Sequence, residues 1–195
     1  MGRLAILTIV CMLAALGSGC TSSPSRFYTL SAAATPSAAS SKLAVAVGPV
    51  SIPAAVDRPQ IVVSTSANQV TLDDFNRWAS PLQDNLARVV AENLVAVLGT
   101  PRVTLFPQTL NADVDYRVQI EIRSFESAPG KSASLDAVWT VRRTKDGKTE
   151  TGRTSVREKV DDSGYEALAA AHSRGVARLS QDIADVVRTL DRAAP

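Results

Sequence analysis

Tyr116-Arg-Val-Gln-Ile-Glu-Ile-Arg123 is the most regular stretch of this 195-residue chain. Apolar and polar residues alternate strictly along it, and successive side chains of a β-strand point to opposite faces. The pattern therefore predicts a strand with one buried face and one solvated face. Such a strand is typical of an antiparallel sheet that is covered on one side only.

Further strands are predicted on both sides of this stretch. Downstream, residues 135–141 repeat the alternation, Lys145-Asp-Gly-Lys148 supplies an Asp-Gly hairpin turn, and residues 151–160 return as a polar, basic edge strand. Upstream, strands are predicted at 43–52 (with a bend or bulge at Gly48-Pro49), around 60–63, at 69–72 after a turn at Ala67-Asn68, and at 103–106. Residues 73–78 are predicted to connect this part of the sheet to the first helix.

Two amphipathic helices are predicted to cover the sheet. Ser80 is the expected N-cap of the first, with Gln83 completing a capping box, and Gly99 is the expected end. The second is expected to begin at Ser163, with Glu166 completing a second capping box. Both carry an apolar stripe at helical spacing. The fold class predicted is α+β: a single domain with a mostly antiparallel β-sheet and two long helices packed on one face.

The N-terminus has the layout of a secretory signal. Arg3 supplies a positive charge, residues 4–16 are almost entirely apolar, and Gly17-Ser-Gly19 supplies small residues before Cys20. The apolar run is shorter than the about 20 residues that a membrane-spanning helix needs. A cysteine directly after the small residues predicts lipidation of Cys20 as the first residue of a mature lipoprotein. The alternative is an incidental cysteine after an ordinary signal.

The predicted organisation is a lipoprotein signal peptide at 1–19, a lipidated flexible tether at 20–41 and an α+β domain at 42–195. The tether is inferred from its Ser, Ala, Thr and Pro content, because small polar residues bury little surface. Within it, Phe27-Tyr-Thr-Leu30 could dock as a short edge strand or a partner contact. Thr21 stands where an Asp would retain a lipoprotein at the inner membrane, which favours the periplasmic face of the outer membrane.

Composition and charge exclude several classes of function. The chain is 45% hydrophobic and 21% charged, as is ordinary for a globular domain. Its formal net charge is +2, and loss of Arg3 with the signal would leave +1. We therefore expect no nucleic-acid partner, because there is no basic field to hold one.

No catalytic, cofactor-binding or metal-binding residue is predicted. The only histidine, His172, lies in the apolar stripe of the second helix, which favours a core or interface role over a general base. Acidic pairs at Asp73-Asp74, Asp113/Asp115 and Asp161-Asp162 lie at element boundaries, where Asp forms caps and turns. We find no metal-ligand spacing and no phosphate-binding glycine loop, so no cofactor and no enzymatic activity are expected.

Two loops place arginine beside rigid or aromatic residues. They are Asp57-Arg-Pro-Gln60 and Phe75-Asn-Arg-Trp78. Because Arg and Trp are enriched at binding hot spots, we predict partner or subunit contacts at four residues: Arg58, Gln60, Arg77 and Trp78. The alternative is that the arginines pair with nearby aspartates and that Trp78 covers the start of the first helix.

These segments resemble the PqiC-type ABC-transport auxiliary lipoproteins. The resemblance also rests on Phe27-Tyr-Thr-Leu30, on Val47-Gly-Pro-Val50 and on the Arg-Trp-Ala-Ser-Pro-Leu run that ends at Leu82. It implies an outer-membrane lipoprotein that works with a periplasmic MCE-domain protein and inner-membrane transporter components to move lipids between membranes. It also allows a homo-oligomeric ring that grips the tip of the MCE tunnel. A scaffold for other envelope machinery, unrelated to lipid transport, is the alternative.

Overall fold

The computed structural model describes residues 24–38, 40–107 and 113–193. The predicted signal peptide and Cys20 lie outside these described residues. The elements, in chain order, are β1 (Arg26–Tyr28), β2 (Val45–Ser51), β3 (Gln60–Ser66), β4 (Gln69–Trp78), α1 (Leu82–Leu98), β5 (Val103–Leu105), β6 (Tyr116–Ala128), β7 (Ser132–Arg143), β8 (Thr149–Lys159) and α2 (Tyr165–Arg192).

Strand β6, which contains the opening stretch, is the centre of the sheet. One of its edges pairs antiparallel with β7 along nearly its whole length, and β7 pairs antiparallel with β8. The other edge is divided between two strands. Its first half pairs parallel with β2, which carries β5, and its end pairs parallel with β3 at Val63 and Ser127. Strand β3 pairs antiparallel with β4, and β4 pairs parallel with β1.

The predicted α+β class is confirmed, and the sheet is mixed. Long antiparallel ladders join β6, β7 and β8, whereas short parallel pairings attach β1, β2, β3 and β5. Alternation along one strand reports which face is buried but not the direction of its neighbours. The predicted bulge at Gly48-Pro49 is confirmed, because the register of β2 against β6 shifts there.

Both helices pack on the same face of the sheet. Helix α1 lies over β2 and β5, and α2 lies over β7 and β8. The apolar stripe of α2 is buried except at Tyr165 and Val186, which are half-buried, and the inward apolar residues of β6 are buried too. This burial is the main source of stability. Gly99 ends α1 in the left-handed conformation (φ 66°), as predicted, with its N–H donating to the Val95 carbonyl. No helix within the described ranges has the length and apolar character to cross a bilayer.

The predicted capping boxes are wrong. Helix α1 begins at Leu82 with Pro81 in the N-cap position, and α2 begins at Tyr165 with Gly164 in that position. Ser80 and Ser163 lie one residue before these N-cap positions, and neither helix has a side-chain hydrogen bond at its cap. Each helix therefore starts one residue later than the motif indicates.

Residues 73–78 form the end of strand β4 rather than a connecting loop, so that prediction is also wrong. The ladder between β3 and β4 shifts here: Ile61 pairs with Asp73, but the preceding Gln60 pairs with Arg77. The extra residues on β4 form an irregular bulge. Strand β1 pairs with β4 directly after it, and this contact keeps the chain extended.

The predicted flexible tether is wrong for residues 26–37, which lie along the folded body. Strand β1 joins the sheet edge, as the alternative anticipated, and Leu30 is fully buried. The N–H groups of Ala33 and Ala34 both donate to Asn93 Oδ1 of α1 at 3.0 Å. We call residues 26–37 the N-terminal strap. Its alanines are ordered by a buried side chain elsewhere in the chain, which local composition cannot indicate.

Candidate functional site

The two arginine-bearing segments, the loop before β3 and the end of β4, meet in space. They enclose a cleft of about 360 Å³, lined by Asp57, Arg58 and Pro59 on one side and by residues 78–81 on the other. The Trp78 N–H donates to the Pro59 carbonyl at 2.8 Å, which joins the two walls. We call this feature the Arg58 cleft.

Arg58 is the least satisfied charged residue of the cleft. It is half-buried, and its Nε atom is buried without a hydrogen-bond partner among the described residues. A buried, unpaired donor costs about 1–3 kcal/mol. No ion pair within the described ranges joins Arg58 to Asp57, so the alternative pairing is not seen. The guanidinium makes no hydrogen bond or ion pair to another described residue, so its accessible N–H groups can donate to a carboxylate or carbonyl oxygen from outside the chain.

Trp78 forms a wall of the cleft but is not an exposed anchor. Its side chain is 5% exposed, and its ring makes edge contacts with Phe125 (6.2 Å between centroids) and His172 (6.4 Å). The residue therefore belongs to the core and holds the cleft against it. Its position just before α1 agrees with the alternative in which Trp78 covers the helix start.

Gln60 and Arg77 lie beside the cleft rather than in it. They face each other across the β3–β4 pair, and both are half-buried. Arg77 Nε donates to the Asp74 carbonyl oxygen at 2.8 Å, so its partner is backbone rather than an aspartate side chain. Of the four predicted contact residues, the structure brings together Arg58 and Trp78 and leaves the other two on the adjoining strands.

His172 lies in the core, and its partner Ser127 was not predicted. Ser127 Oγ and His172 Nε2 are 2.8 Å apart, and the ring stacks on Phe125 at 3.9 Å. Both residues are 2% exposed, and His172 Nδ1 has no partner among the described residues. Burial lowers the pKa of His172 to about 3, because the charged form would be desolvated. The pair is buried from solvent, and no carboxylate among the described residues is hydrogen-bonded to the ring.

The acidic pairs have structural roles, as interpreted from the sequence. The Asp73 carboxylate accepts hydrogen bonds from the Phe75 and Asn76 N–H groups and from the Tyr165 hydroxyl. Burial opposes ionisation of Asp73, but these bonds outweigh it and lower its pKa. Asp115 accepts from the Ala44 N–H at 2.7 Å, and Asp162 accepts from Gly164 next to the start of α2. Within the described ranges, no three metal-ligating side chains lie close enough to share an ion.

Comparison with known proteins places the fold in one family. A family model described as "ABC-type transport auxiliary lipoprotein component" matches residues 28–184. A comparison with curated proteins gives no significant match. The crystal structure of an uncharacterized protein is similar at a TM-score of 0.70, with 21% identity over 85% of this chain and 99% of that one. A DUF330 protein from Xanthomonas campestris is similar at 0.65, with 19% identity over 81% and 92%. At these identities the structural likeness shows the fold alone.

Proposed function

Because the chain belongs to the family of ABC-type transport auxiliary lipoprotein components, we propose that it is the outer-membrane subunit of an intermembrane lipid-transport system. Membership in that family makes it an auxiliary component of an envelope transport system, and the family is not named for an enzyme. The finer role proposed is that it docks a periplasmic MCE tunnel to the outer membrane and so supports envelope integrity. Acylated Cys20 would attach the protein to the outer membrane, and protein contacts would attach it to the MCE-domain protein.

The observation that carries the protein contact is the Arg58 cleft. Its walls include Pro59, Trp78 and Pro81, which are rigid or held in place by the core, so little conformational entropy is lost on binding. Arg58 lines the cleft, and the accessible part of its guanidinium would donate to a bound carboxylate or carbonyl. The cleft is largely apolar, and its charged lining residues are Arg58 and the exposed Asp57, so it suits a peptide segment that presents a carboxylate or carbonyl oxygen to Arg58.

The test is co-purification of the MCE-domain protein with full-length, acylated variants. Arg58→Glu should abolish recovery of the partner, because it replaces the cation with a charge that repels a carboxylate. Arg58→Lys should lower recovery less, since an ammonium keeps the charge but loses the planar donor fork. Trp78 is not a suitable target, because its loss would open the core.

A matched control is Arg157→Glu, an exposed residue on β8 at the far edge of the sheet. It makes the same change in net charge without touching the cleft. Equal recovery of the partner with Arg58→Glu and Arg157→Glu would reject the cleft as the contact. Homo-oligomerisation is tested in parallel by native mass measurement, since a ring would show masses at one fixed multiple of the subunit.

The anchor is tested separately with Cys20→Ser. Without a thiol to acylate, the domain should leave the membrane fraction or accumulate as a precursor. Unchanged fractionation with the outer membrane would reject lipidation of Cys20. Transfer of lipid between membranes that persists without the protein would instead favour the envelope scaffold.

A further inference from the structure

The β3–β4 hairpin projects from the domain and carries apolar side chains into solvent. All eight residues from 65 to 72 are exposed. Six large apolar side chains are exposed in the described part of the chain, and four of them lie on β1 and β4. These four, Phe27 (64% exposed), Val70 (58%), Phe75 (47%) and Leu72 (42%), are called the β4 patch.

Two of its residues on the hairpin point away from the helices. Val70 and Leu72 are two positions apart on β4 and therefore share a face. The next residue, Asp73, lies on the other face and accepts a hydrogen bond from Tyr165 of α2 at 2.6 Å. The two apolar side chains therefore lie on the side of the sheet that neither α1 nor α2 covers.

Phe27 lies on the same uncovered side. Its neighbour Tyr28 points towards the helices, where its ring lies 5.8 Å from that of Tyr165. Successive strand residues alternate, so Phe27 points the opposite way. In the sheet it pairs with Arg77 of β4, which places it at the base of the strand that carries Val70 and Leu72.

The length of chain before β1 sets how far this patch can lie from a lipid on Cys20. Five residues lie between Cys20 and Arg26, and the six steps of an extended chain, at about 3.3–3.6 Å each, span at most roughly 20 Å. Because the N-terminal strap is docked from residue 26 onwards, it adds no further slack. From Phe27 the patch extends along β4 by about another 20 Å at the usual rise of a strand.

We propose that the β4 patch rests on the surface of the phospholipid bilayer that holds the anchor, with Phe27, Val70 and Leu72 at the boundary between headgroups and acyl chains. The inference rests on the proposed acylation of Cys20. These three apolar side chains give only weak binding by themselves, but a tether this short raises their effective concentration at the bilayer. The patch thereby fixes how the domain is oriented on the membrane.

The charges near the patch indicate an apolar contact rather than an electrostatic one. Arg26 and Arg77 flank Phe27, whereas exposed Asp74 precedes Phe75. Because both signs are present, attraction to anionic lipid is not the main source of binding. The contact is therefore expected on vesicles of phosphatidylethanolamine with or without phosphatidylglycerol.

The test uses the acylated mature chain in such vesicles, with one added cysteine. Cys20 is the only cysteine after the leader and is blocked by its thioether, so Leu72→Cys or Phe27→Cys takes up an environment-sensitive fluorophore selectively. The matched control is Val95→Cys on α1, another exposed apolar position (38%). Nitroxide-bearing lipids should quench the label several-fold more at residues 27 and 72 than at residue 95.

Three results would overturn the inference. If the chain floats with the vesicles but label 72 is quenched no more than label 95, the anchor stands and the patch fails. If label 72 is shielded from a water-soluble quencher without being quenched by lipid, the face meets a second copy of the chain instead. If the acylated chain does not float at all, both the anchor and the patch fail.

Discussion

Strand β6 and the projecting β3–β4 hairpin both alternate apolar and polar residues, but the apolar residues are buried in one and exposed in the other. Ile120 and Ile122 of β6 alternate with polar residues and are buried, whereas Val70 and Leu72 of β4 alternate in the same way and are exposed. The difference is the layer above them. Apolar alternation under a helix supplies stability, and apolar alternation without cover supplies a surface that can bind.

The largest expected effect comes from truncating leucine in each region. Leu179 of α2 is fully buried, so Leu179→Ala should lower the free energy of unfolding by about 3 kcal/mol, through lost burial and a cavity. Leu72→Ala should change it by less than about 0.5 kcal/mol, because its side chain is already in water. Urea unfolding of the unacylated Cys20→Ser chain measures both. Similar decreases in the free energy of unfolding at the two positions would contradict the distinction between the covered strands and the exposed hairpin.

A change in pH should have an effect of intermediate size on the free energy of unfolding. This effect comes from His172, a buried residue of α2. The pKa of His172 is about 6.5 when unfolded and about 3 when folded, so the unfolded state binds the proton first as pH falls. Its contribution to stability is complete above about pH 6.5 and is lost as the pH falls towards the folded value. Between about pH 7.5 and pH 5 the free energy of unfolding should fall by about 2 kcal/mol.

The assignment is clean because the chain has a single histidine. Urea midpoints for His172→Gln should depend much less on pH over the same range, even if that variant is less stable throughout. A pH dependence that survives this substitution would show that some other group is responsible. A flat profile in the parent chain would show that the histidine is solvated when folded.

The smallest expected effect concerns the N-terminal strap, which joins the covered region to the sheet edge beside the hairpin. Asn93→Ala removes the buried acceptor for the Ala33 and Ala34 N–H groups. It should cost about 1 kcal/mol, because Ala33 is exposed and Ala34 half-buried, so the released N–H groups can bond to water. Trypsin should then cut faster after Lys42, which lies just beyond the strap. Val95→Ala on the same helix is the control. Equal cleavage rates in the two variants would show that Asn93 does not hold the strap in place.

The sequence predicts the fold best where the apolar period is long. The stripe of α2 and the alternation of β6 and β7 extend over many residues, so chance matches are few, and these elements are confirmed. Residues 73–78 are mispredicted because Asp73, Asp74 and Asn76 favour turns. Pairing with β1, which is distant in sequence, keeps them extended. Ser80 illustrates the same limit, since a capping motif reports a local preference that packing can override.

The candidate site divides in a similar way. Arginine and tryptophan in two loops indicate a contact region, and the structure brings Arg58 and Trp78 into one cleft. Nothing in the sequence indicates that the tryptophan ring is buried or that the Arg58 Nε atom lacks a partner. Ser127 lies 45 residues before His172, and only the register of β6 beneath α2 brings them together.

The two attachments of the N-terminal strap have a mechanical consequence. A load transmitted from an acylated Cys20, as proposed above, would enter the described domain at Arg26 and divide between two routes. One runs through the three β1–β4 register pairs into the sheet. The other runs along the strap to Asn93 of α1. Because Asp73 of β4 is also hydrogen-bonded to Tyr165 of α2, both routes lead into the same packed core, and neither attachment bears the load alone.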